Sequence, residues 1–210
     1  MSASLLMLAD SRLPAGGHAH SGAVEQAVAA GVVVDASSLA AFLRRRLATA
    51  GVVAAGLAAA ACGADMAGLA RLDDEADART PSPALRAASR QQGRGLARVG
   101  RRAWPSNAWD VLPALPHHPL ALGVAAAVAG LRPRDAAQAA AYLSVSGPAT
   151  AAQRLLAMDP LTVAAVTARL SPEIDAVADR ATGELPAATD PLLDLLAEVH
   201  AARKDRFFAS

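Results

Sequence analysis

The sequence predicts an all-α protein, and three observations carry that prediction. Hydrophobic residues make up 53% of the 210 positions while aromatics are only 3%, so the apolar content is mainly Ala, Leu and Val, and Ala is the strongest helix former. No run of four to eight residues alternates with β-branched and aromatic enrichment, and Val32-Val33-Val34 is too short to count as a strand. Five X-Pro steps stand where helices begin: His118-Pro119, Arg132-Pro133, Asp159-Pro160, Ser171-Pro172 and Asp190-Pro191. Proline fits the first helical position because its missing N–H would have no partner there.

These signals predict one bundle of roughly eight to ten short helices spanning residues 1–210. Leu5 to Ala9 reads as a short helix, Ser11 to His20 as a loop with Pro14, Gly16 and Gly17, and Gly22 to Ala30 as a helix closed by Gly31. Asp35 or Ser37 opens an Ala-rich helical hairpin or bent helix through Cys62, with Gly51 and Gly56 as candidate breaks. Gly63 to Arg79 is an acidic helix ended by Thr80-Pro81-Ser82-Pro83, and a longer helix runs to about Trp104. The proline steps make the second half a string of short helices. A core of Ala and Leu implies thin side chains and closely approaching helix axes.

Composition also narrows function. A net charge of +1 gives no global field of the kind a dedicated nucleic-acid binder carries. The single cysteine, Cys62, forbids an intrachain disulfide framework and a CxxC knuckle and points to a reducing compartment, the cytoplasm. The longest apolar run, Leu47 to Cys62, falls short of the roughly 20 residues that cross a bilayer.

Catalytic motifs are missing. Gly93-Arg94-Gly95 lacks the lysine and spacing of a Walker loop, and neither Ser21 nor Ser146 is framed as a nucleophile elbow. The pairs His18/His20 and His117/His118 are metal candidates only if further ligands converge on them; otherwise they pack as amphipathic fillers or bond loop carbonyls. A general-base arrangement of His18, His20 and Asp10 with Ser11 or Ser21 lacks an oxyanion-hole signature.

Two features suggest binding. Arg86, Arg90, Arg94 and Arg98 recur every fourth residue, continued by Arg101 and Arg102, and so form a basic ridge on one helix face. It reads either as a solvated face paired with Asp73, Asp74, Glu75 and Asp77, or as a docking strip for an acidic partner. The chain then finishes on Arg203-Lys204-Asp205-Arg206-Phe207-Phe208-Ala209-Ser210. Aromatics where chains normally fray must fold back into the core or become buried on a partner.

The segment Leu13-Pro14-Ala15-Gly16-Gly17-His18-Ala19-His20-Ser21-Gly22-Ala23-Val24-Glu25 resembles the N-terminal signature of the urease accessory protein F (UreF) family. The resemblance continues through Gln92-Gly93-Arg94, His118-Pro119-Leu120, Ala152-Gln153-Arg154-Leu155-Leu156 and the closing Arg206-Phe207-Phe208-Ala209-Ser210. It implies an all-α, homodimeric, non-enzymatic adaptor between a D/H-type (UreD/UreH) accessory scaffold and the UreG GTPase. That complex passes nickel to the urease apoprotein as GTP is hydrolysed, and no cofactor is held stably.

Residue by residue, the resemblance implies that Glu25 and Arg154 belong to the GTPase-facing surface. It likewise implies that Arg206, Phe207, Phe208 and Ser210, within a 203–210 docking tail, meet the D/H-type partner. The chain departs from the family at His18-Ala19-His20, where aromatic-Ser-aromatic is usual, at Ala157-Met158-Asp159-Pro160 after the Arg154 segment, and at Ala209. Two rival roles stand beside the adaptor. One is a direct GTPase activator supplying an arginine in trans, from Arg154 or the ridge; the other is a nickel-handling protein using His18 and His20.

Overall fold

The computed structural model describes residues 2–10, 12–15 and 20–208. Within them the chain forms α-helices joined by short connections, with no β-strand. In the first half these are α1 (Ala3–Ala9), α2 (Val24–Ala29), α3 (Ala36–Arg46), α4 (Val52–Ala61), α5 (Met66–Ala78) and α6 (Pro83–Ala103). In the second half they are α7 (His118–Val128), α8 (Pro133–Leu155), α9 (Pro160–Arg169), α10 (Ser171–Arg180) and α11 (Pro191–Ala202).

Local sequence sets most of the boundaries. Asp35 caps α3, accepting from the Ser38 N–H at 2.8 Å while the Ser38 hydroxyl takes the Asp35 N–H, a reciprocal capping box. Asp65 caps α5 and Ser82 caps α6 through their side chains. All five X-Pro steps open helices, α7 to α11. The segment from Ala36 to Ala61 is one continuous helical run and not a hairpin: α3 runs into α4 through a π turn at Leu47–Gly51. Gly56 does not break it.

The second half is not wholly a string of short helices. At 23 residues α8 is the longest helix described, and it continues through Pro148. Proline at that position withholds an N–H from the carbonyl four residues back, that of Ser144. Arg46 supplies the missing donor: its Nε reaches the Ser144 oxygen at 2.9 Å. A side chain almost a hundred residues away therefore repairs the break that the local sequence would impose.

Alanine allows the helices to approach closely. Two apolar clusters form, one around α2, α3, α9, α10 and α11, the other around α1, α5, α6 and α7. Helices α4 and α8 contribute to both, with Ala55 and Ala59 facing the first and Leu57, Ala58 and Ala61 the second. Gly93 of α6 has the same use in the extreme: a Cβ there would run into the Pro116 carbonyl. The 116–118 turn consequently lies flat on α6 and fixes the start of α7. Trp109 is fully buried, its indole N–H donating to the Trp104 carbonyl at 2.8 Å.

Candidate functional site: a buried carboxylate that fastens the tail

The N-terminal signature and the C-terminal tail meet. Gly22 (φ +57°) and Ala23 (φ +70°) are both left-handed, a turn that glycine adopts freely and alanine at a cost. The turn points Glu25, in the first turn of α2, inward, where it is only 3% exposed. Its Oε1 accepts the Phe207 N–H at 2.8 Å, and its Oε2 accepts the Phe208 N–H at 2.9 Å and the His200 Nε2–H at 2.8 Å. Every donor lies at least 175 residues away in sequence. Arg203 adds a bond to the Gln26 side chain at 3.1 Å.

Burial pushes the Glu25 carboxyl up, but the two tail amides and the His200 ring outweigh it and hold the group below its ordinary value. A carboxylate with two backbone donors and an imidazole on it is satisfied without water. The tail is thereby divided. Phe208 packs against the core, while Phe207, its amide fastened, leaves its ring 84% exposed. Arg206 is exposed too, and among the described residues its side chain bonds the Ala201 carbonyl at 3.4 Å. Of the two aromatics, Phe208 folds back onto the core and Phe207 does not.

Gly22 belongs to the same assembly. Its carbonyl accepts from Arg46 Nη1 at 3.0 Å, so one guanidinium ties the signature turn to the proline break in α8. A Cβ on Gly22 would lie 2.9 Å from Arg46 Cζ and 3.0 Å from Pro148 Cγ. Burial lowers Arg46 to about 10, which leaves it charged at neutral pH. Nothing local in the sequence singles out Arg46; its partners are carbonyls, which carry no residue signature.

A second histidine–carboxylate pair sits at the start of α7. His117 is 1% exposed, and its Nε2–H donates to Asp77 at 2.9 Å. The Ser89 hydroxyl bridges His117 Nδ1 (3.0 Å) and the His118 N–H (3.1 Å). Burial lowers His117, aided by Arg90 and opposed by Asp77, while burial and the nearby His20 lower His118 to about 4. Both rings line a cavity that Arg46 also lines. Among the described residues no group of three or more His, Cys, Asp or Glu side chains converges to hold a metal; His18, like Ser11 and Ser210, lies outside them.

Glu25 and Arg154 do not share an exposed surface. Glu25 is enclosed, with both oxygens occupied by its own chain; Arg154, near the end of α8, is exposed. The arginine ridge divides as well. Arg86 pairs with Asp77, and Arg90 with Asp73 and Asp77, whereas Arg94 and Arg98 are exposed. Glu75 is taken by Arg79 instead.

Comparison with known proteins places this architecture. The UreF family model matches residues 33–171. A urease accessory protein UreF of Mycolicibacterium vanbaalenii is 54% identical over 210 residues, covering 99% of this chain and 98% of that protein. Urease accessory proteins UreF of Mycobacterium sp. strain JLS and of Mycobacterium tuberculosis are 53% and 48% identical, over 207 and 208 residues, with the same coverage of both chains. With the family model spanning most of the chain and relatives aligned nearly end to end, the chain belongs to the UreF family of urease accessory proteins.

Proposed function

We propose that the protein is a non-catalytic, cytoplasmic, homodimeric adaptor. It joins a D/H-type accessory scaffold to the UreG GTPase, so that nickel reaches the urease apoprotein as GTP is hydrolysed. Nickel is cargo of the complex in this reading and not a resident cofactor. The observation that carries it is the divided tail: Glu25 fastens the Phe207 and Phe208 amides while the Phe207 ring stands 84% exposed beside Arg206. An aromatic and an arginine held outward on a fastened backbone have the chemistry of an interface anchor, since much of the ordering entropy is already spent.

Glu25 then contributes to partner binding at one remove, by holding the tail in its presenting shape. Co-purification with the scaffold and the GTPase tests the proposal. Phe207→Ala should lose the scaffold and leave the far-ultraviolet circular dichroism unchanged; undiminished capture by that variant would contradict the assignment of the tail.

A second reading has one observation behind it. Arg154 is exposed at the end of α8 with no ion-pair partner among the described residues, the state of an arginine available to an active site in trans. Single-turnover GTP hydrolysis by the GTPase, with and without the Arg154→Ala chain, distinguishes the two. Stimulation that disappears with the substitution favours an activator, and an unchanged rate leaves the adaptor.

A further inference from the structure

The division of the arginine ridge has a consequence of its own, independent of the adaptor reading. Arg86 and Arg90, near the start of α6, are answered by Asp73 and Asp77 of α5. Arg94, Arg98 and Arg102, further along the same line, are exposed and have no acidic partner among the described residues. The three lie at i, i+4 and i+8, a strip about 12 Å long. Like charges one turn apart cost a helix stability, and here no neighbouring carboxylate relieves them.

The helix bearing the strip is firmly seated. Leu96, Ala97 and Gly100 are buried on its inner side, the Ala15 backbone lies against Gly95, and the Pro116 carbonyl lies against Gly93. The guanidinia therefore project from a fixed support, away from the buried Leu96, Ala97 and Gly100 and beside the Ala15 backbone that lies on Gly95.

The paired half of the ridge shows what chemistry fits the free half. Asp73 and Asp77 stand four residues apart on α5, and Arg90 takes both, Nη1 to Asp73 at 2.9 Å and Nη2 to Asp77 at 2.8 Å. We propose that Arg94, Arg98 and Arg102 form a docking strip for an acidic helical segment of another protein, one whose carboxylates recur at the same four-residue spacing. A second copy of this chain fits less well, because its carboxylates at that spacing are already engaged: Asp73/Asp77 by Arg90, Asp175/Asp179 by Gln138 and Arg134, and Asp190/Asp194/Glu198 by Arg45 and the Ser82 to Ala84 start of α6. Nucleic acid fits less well again. No aromatic is interleaved for base stacking.

The test uses the full chain and fluorescence anisotropy with three labelled probes: a helical peptide with glutamates every fourth residue on one face, a peptide of identical composition with the glutamates dispersed around the helix, and a single-stranded DNA oligonucleotide. The one-face peptide should bind most tightly and weaken with added salt. Replacing three exposed charge contacts by Arg94→Gln/Arg98→Gln/Arg102→Gln should weaken that peptide by about tenfold. The control Arg71→Gln/Arg169→Gln/Arg180→Gln, which removes the same charge from exposed positions elsewhere, should leave binding unchanged. Equal binding of the dispersed peptide, tighter binding of the oligonucleotide, equal loss in the control, or no loss in the strip variant would each overturn the proposal. So would concentration-dependent self-association that the strip variant abolishes, which would assign the strip to a second copy.

Discussion

The two histidine–carboxylate pairs are built from the same chemistry and put to different uses. His200–Glu25 is sealed, with side chains 0% and 3% exposed, whereas in His117–Asp77 the ring is buried and the carboxylate is 44% exposed. Glu25 has a single set of partners, and two of them are backbone amides of the terminal segment. Asp77 is one of several groups holding its neighbourhood: Arg86 and Arg90 share it, Ser89 holds His117 from the other side, and Asp73 also reaches Arg90. A buried carboxylate without alternatives governs whether a segment is ordered. A half-exposed one within a mesh only adjusts local stability.

Removing each carboxylate separates the two most sharply. Glu25→Ala strands an enclosed imidazole and two amides, and should cost about 3–5 kcal/mol in denaturant unfolding while exposing the segment after His200 to protease. Asp77→Ala removes bonds that water and Asp73 can replace, and should cost about 1–2 kcal/mol with the tail still protected. Equal losses from the two variants would erase the distinction. Smaller again, Phe207→Ala should change stability by less than about 0.5 kcal/mol, because its ring meets little of its own chain; a larger loss would mean that the ring is structural.

Acidification should act on the two sites in sequence. His118 titrates near 4 in the folded protein against an ordinary 6.5, so the unfolded chain takes up the proton first, and stability falls as pH drops from about 6.5 to about 4. His117, also lowered, adds in the same direction. Glu25 is depressed, so its contribution is complete above the ordinary carboxylate value and is lost as pH falls through the lowered one. Thermal melts against pH should therefore decline first through the α7 site, with the tail amides staying protected until the carboxylate range. His118→Leu should flatten the upper part of the decline, and tail release at pH 6 would contradict the order.

What was legible in the sequence was local or was carried by residue identity. Asp35 caps α3 through a bond to the amide three residues on, and the prolines set the starts of α7 to α11. The tail aromatics and the ridge stood out because residue type alone marks them. The rest depended on distant pairs. The passage of α8 through Pro148 needs Arg46, the role of Glu25 needs donors beyond residue 199, and the division of the ridge needs α5 to present Asp73 and Asp77 to only its first two arginines. Periodicity along a chain does not encode such meetings.

Glu25 fastens the tail within the protein itself, before any partner arrives. Amide hydrogen exchange at Phe207 and Phe208 in the isolated protein at neutral pH tests it most directly. Both amides should be protected in the wild type and should exchange at nearly the free-chain rate in Glu25→Ala, with the protection of α8 retained. Free exchange of both amides in the wild type, or protection that survives Glu25→Ala, would contradict it.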